Sequence, residues 1–214
     1  MENEGVRNGA MPCAPAWETN MKNLVERVKK ILVEPKTEWA AIEAEELDVK
    51  ALYTRYVAVL ALIPAVATFL SLLGSRIGFG LVLGAIVTQY LLSLAMVYAV
   101  AIIAEVLSPI LDGNKDSSGA LKLTAYAMTA SWVAGVFAIV PFVGWLLSFL
   151  GSLYSIYLFL LGAPVLMKVP ESKALGYTLL VMAAALVIGA VIGFIGTAIV
   201  GFGATGTMMQ PKGF

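Results

Sequence analysis

Glu105 is the single acid inside the apolar runs of this chain, and Lys122 opens the next run after it. A charge held in hydrocarbon is costly and is retained for a use, whereas the same charge at headgroup level costs little. Glu105 and Lys122 therefore read either as an ion pair at one membrane face or as part of a polar site. Gln89, Tyr126, Tyr154 and Tyr157 add polar atoms at or near membrane depth. Tyr154 and Tyr157 are three apart and share a helix face. Hydrogen bonds between helices account for all four, and a polar path across the membrane is the sharper alternative. A third group is basic. Arg27, Lys29 and Lys30 flank an apolar stripe of Leu24, Val25, Val28, Ile31 and Leu32. A helix of that pattern lies on anionic lipid, docks on a protein partner, or caps its own bundle.

The missing residue types narrow the chemistry. The chain has no His and one Cys, so Cys13 has no internal disulfide partner and no metal cluster is indicated. No Ser/His pair is set for hydrolysis, and no glycine run carries the GK[ST] of a phosphate loop. The expectation is a non-enzymatic protein without cofactors. Its formal net charge of +0 gives no electrostatic footing for nucleic acid.

Composition indicates what positions these groups. Of 214 residues 60% are hydrophobic and 13% charged, against about 25% charged in an average soluble domain. Residues 1–20 hold few large apolar side chains and no signal-peptide core, so a disordered tail is expected there. Residues 21–50 read as two amphipathic interfacial helices interrupted at Pro35. Residues 51–204 hold five spans, over about 55–74, 80–106, 121–140, 143–166 and 175–201, and 205–214 form a short tail. The run from Lys122 to Lys168 is long enough for two crossings, and "AIVPFVGWLL" with Pro141 and Gly144 marks the turn between them. Twelve of the 14 Lys and Arg fall on the N-terminal side of this topology, and Arg76 and Lys212 fall on the other. The positive-inside rule then places the N-terminus in the cytosol and the C-terminus on the opposite side. Small residues at four-residue spacing (Gly80 and Gly84, Gly144 and Ser148, Gly189 and Gly193) fit packing within the bundle or a homo-oligomer face. The fold class is an all-α membrane protein, a five-helix transmembrane bundle preceded by an amphipathic cytosolic segment.

The central third of the chain resembles the Yip1 domain in its bacterial form. The resemblance rests on the Asp112–Gly113 loop, Lys122, Tyr126, Trp132, the Pro141–Gly144–Trp145 turn, the Tyr154/Tyr157 pair, Pro164, Pro170, Lys173 and Tyr177. Its specific part covers 111–177 within about 30–202. The family often has Pro after the Thr that precedes this Trp, and here Ala130 follows Thr129. The resemblance implies five membrane helices, a cytosolic N-terminus and a bacterial inner membrane. It adds Asp112 and Lys173 to the candidate site residues. Eukaryotic relatives serve vesicle traffic, bind Rab-type GTPases and associate with one another. Bacterial members have no such GTPase, which leaves lipid, a membrane-protein partner or a second copy as the expected partners. A small oligomeric transporter or channel is the alternative function.

Overall fold

In the computed structural model the described residues are 16–73, 78–140 and 142–208. The expectations placed on Arg76, Pro141, Lys212 and most of the N-terminal tail lie outside them. Seven helices follow in chain order: α1 (Ala16–Val33), α2 (Pro35–Ala44), α3 (Val49–Leu72), α4 (Phe79–Leu111), α5 (Ser117–Ile139), α6 (Val143–Leu166) and α7 (Glu171–Met208). Five of them, α3 to α7, are long and apolar enough to cross a membrane. The face that carries α1, α2 and the α4–α5 and α6–α7 turns is called the near face below, and the other the far face.

Helices α3 and α5 start before their apolar runs, because hydrogen-bonding side chains extend them. The Asp48 carboxylate accepts the Ala51 N–H at 3.0 Å and caps α3 six residues before Arg55 would end the apolar count. Asp116 caps α5 in the same way through Ser118 N–H at 2.9 Å. Helix α1 begins at Ala16, inside the segment expected to be disordered, where Ala and Glu favour helix. Helix α7 runs to Met208, past the expected end of the last span.

Two departures from regular α-helix matter. Residues Leu52–Val57 of α3 are π-helical, with one residue too many per turn. The far end of α5, Gly135–Ile139, narrows to a 3₁₀ turn. Pro64 lies inside α3 without ending it, and its ring packs against the bare backbone of Gly135, where a Cβ would stand 2.7 Å from the proline. Beyond α5, Phe142 takes a positive φ of 66° and is 93% exposed at the far turn.

Helix α5 is central. More than half of its membrane window is buried, 56%, against 22–28% for the other four. The core gathers around it on the near side: Trp39, Ile42, Leu123, Phe159 and Tyr177 are all within 1% of full burial. The small-residue spacings behave differently from one another. A Cβ on Gly80, Gly84 or Gly193 would meet nothing within 4 Å, so these glycines do no packing inside the bundle. Gly144 instead abuts the carbonyl of Phe137 in the far turn, and Gly162 leaves room for the Trp39 ring.

Candidate functional site

The polar side chains of the near half converge on one place, where α1 and α2 sit against α3, α5 and α6. Arg27 from α1 donates to Glu38 at 2.6 Å and also to Glu45. Its guanidinium lies over the Tyr126 ring, 5.9 Å from the centroid. Tyr126 in turn packs against Tyr56 at 4.6 Å and edge-on to Trp39 at 6.5 Å. Burial works against the Arg27 charge, but the hydrogen bond it donates to Glu45 and the nearby Glu45 and Glu38 carboxylates outweigh it, so the group is held protonated above its usual range.

Lys122 does not pair with Glu105. Its ammonium donates to the Ile42 carbonyl at 2.9 Å and to that of Glu45, the last carbonyls of α2 and the residue after it. The end of a helix leaves such carbonyls unpartnered and carries partial negative charge. A buried ammonium answers both needs, and this is why a lysine 7% exposed is tolerated. Tyr154 does the same for α1, donating to the Leu32 carbonyl at 2.7 Å. Lys168 pairs with Glu43 at the edge of the layer. Helices α1 and α2 are thus latched to the bundle by Lys122, Tyr154 and Lys168, with Arg27 tying α1 to α2.

The remaining expected residues are dispersed. Glu105 is half-buried and makes no hydrogen bond or ion pair among the described residues. It lies about 39 Å along α4 from Phe79, outside a hydrocarbon core of about 30 Å. Asp112, in a left-handed conformation that ends its helix, pairs with Lys173. The Tyr157 ring lies tilted against Tyr154, centroids 5.6 Å apart, and keeps 44% of its surface exposed. Gln89 is exposed and makes no hydrogen bond; it borders two crevices, of about 370 and 230 Å³, with Ser93 in both. Among the basic trio, Lys30 forms an exposed pair with Glu26 at 2.9 Å, while Lys29 is exposed and unpaired. Arg27 is not a surface cation, because its partners are already within the protein. The acids that hold it, Glu38 and Glu45, were not among the expected site residues. Glu38 lies within α2 and Glu45 just past its end, so no helical spacing in the sequence joins them. Among the described residues no three His, Cys, Asp or Glu side chains gather as a metal site.

A cavity of about 230 Å³ opens beside this cluster, bordered by Asn23, Arg27, Glu46, Arg55, Lys122 and Tyr126. A family model, the Yip1 domain, matches residues 29–208, which take in α2, all five long helices and the latch residues Lys122, Tyr154 and Lys168. The chain belongs to the Yip1 domain family. No curated protein and no solved structure matches it. The Yip1 match ends at the last residue of α7 and begins within α1, after Arg27. In this Yip1 domain, then, Arg27 is a residue outside the matched region that grips Glu38, Glu45 and Tyr126 within it. The protein is an integral membrane protein of that family, and the latched layer is its most polar feature.

Proposed function

We propose that this Yip1 domain is a non-catalytic membrane-organising protein of a bacterial inner membrane. Its α1–α2 layer faces the cytosol and meets anionic lipid or a membrane-protein partner. The observation that carries the reading is the division among the cations. Arg27 and Lys122 hold the layer to the bundle, while Lys29 and Lys36 are exposed and unpaired and Lys30 has only a solvent-exposed partner. Free lysines near an anionic surface contribute about 1 kcal/mol each. The Lys excess on this side supports the orientation. In full-length protein in nanodiscs, replacing Lys29 and Lys30 together with Gln is expected to weaken retention of anionic lipid about tenfold to thirtyfold at low salt, read by native mass spectrometry. Unchanged retention would refute the lipid role.

A second reading, a small conduit, has one observation in its favour: Gln89 offers an unpartnered amide to two crevices at mid-membrane. Ion and proton flux in liposomes decides it. Flux abolished by Gln89→Leu, with Glu105→Gln tested beside it, supports a conduit. Flux no higher than in protein-free vesicles removes it.

A further inference from the structure

The two flanks of the bundle differ in apolar height. Levels across the bundle follow from contacts. The Phe69 and Phe79 rings meet at 6.2 Å. Pro64 meets Gly135, and from either residue the chain runs about 8–10 Å further out, to Phe69 or to Val140. Phe79 is therefore level with the far turn. Ser131 is held to Ser155 by hydrogen bonds of 2.9 Å. Both serines lie about 15–18 Å inward of that turn. Gln89, about 15 Å inward from Phe79 on α4, shares a crevice with Trp132, the residue after Ser131. Next to Ser155, Tyr154 holds the Leu32 carbonyl. The junction between α1 and α2 therefore stands at the depth of Gln89, midway through a core of about 30 Å.

From there α2 climbs beside α6 toward the near face. Trp39 packs on Gly162, and Glu43 pairs with Lys168. Around the junction Glu34, Lys36 and Thr37 are exposed. Ionised side chains with no partner do not face hydrocarbon. On this flank the exposed aromatic and aliphatic surface of α6 runs from Val143 to Tyr157, about 21 Å. On the opposite flank the exposed apolar surface of α7 runs from Leu175 to Phe194, about 28 Å, and that of α4 before Glu105 from Phe79 to Ile102, about 34 Å. No single flat slab of lipid satisfies both flanks.

We propose that the bilayer is thinned along the α1–α2 flank. The near leaflet gives way there by about 7 Å, the difference between the two apolar heights, so that water reaches the α1–α2 junction while α4 and α7 keep a lipid coat of full thickness. The partner is the lipid surface itself, and the thinning deepens the membrane-organising reading. The depth argument uses none of the lysines tested above, so either can fail alone.

The test is depth-resolved labelling of the full chain in nanodiscs, which expose both faces, with Cys13 replaced by Ser. Val33→Cys and Lys36→Cys report on the junction, and both residues are exposed. Leu91→Cys, exposed on α4 about 18 Å inward from Phe79, reports the same depth on the other flank. Because only a hydrated thiolate reacts, both junction cysteines should label with a charged maleimide at least about tenfold faster than Leu91→Cys. Lengthening the lipid chains from 14 to 22 carbons should slow the junction sites and leave Leu91→Cys unreactive throughout. Junction cysteines as slow as Leu91→Cys overturn the proposal. Brominated lipid chains then identify the cover: quenching of a label there means full-thickness lipid, and no quenching means a second copy of the chain.

Discussion

The near and far halves of this bundle are built on different principles. In the near half, α1 and α2 close over α5 and α6, and buried polar groups fix the arrangement: Lys122 on the end of α2, Tyr154 on the end of α1, Tyr56 hydroxyl with Thr129 at 2.7 Å. In the far half the same helices splay toward lipid, with Phe142, Trp145 and Phe79 exposed and Gly80 and Gly84 touching nothing. Interhelical burial in a membrane gains little from hydrophobicity, since lipid is as apolar as leucine. Close fit and hydrogen bonds must do the holding; the buried hydrogen bonds are concentrated in the near half, while the far half is held by close backbone fits at Gly135 and Gly144.

Three tests, using four substitutions, sharpen that contrast. Trp39→Ala empties the centre of the near half, where the ring is fully buried. It should cost about 3–5 kcal/mol, read by SDS titration in mixed micelles, and should expose the α1–α2 junction to protease. Lys122→Met keeps the volume but strands two carbonyls, at a cost of about 2–3 kcal/mol. A loss no larger than that of an exposed lysine would show that the latch contributes nothing. The third is a matched pair. Gly162→Ala places a methyl 2.6–2.9 Å from Leu123 and Trp39 and should cost about 1–3 kcal/mol. Gly84→Ala meets open space and should be neutral or stabilise by up to about 1 kcal/mol. Equal effects at Gly162 and Gly84 would erase the distinction between the halves.

The five long helices were legible because 20 apolar residues in a row have few other uses, and the turn after Val140 was legible from Pro141 and Gly144. The latch was not. Charge on α1 and α2 reads as a solvated face, since nothing in local spacing tells Arg27 that its partners lie 11 and 18 residues on. Lys122 pointed by position to Glu105, the acid inside the preceding apolar run on the same side. Backbone carbonyls at a helix end compete for an ammonium as well as carboxylates do, and they leave no mark in the sequence. The glycine pattern misled for a related reason: four-residue spacing identifies a smooth helix face and does not say what lies against it.

The π-helical segment Leu52–Val57 has a consequence for how this chain tolerates change. It carries one residue more than a regular helix of the same rise, so it works as an adjustable joint between the polar layer and the first long helix. It lets Tyr56 reach Thr129 while Arg55 stays outside. Removing one residue from it would let it relax to regular α-helix and leave the direction of everything before it nearly unchanged, whereas removing one residue from the regular turns of α3 beyond Val57 would turn everything before it by about 100° about the helix axis. That second deletion, which no hydropathy profile would register, would swing α1 and α2 away from the surface that holds them.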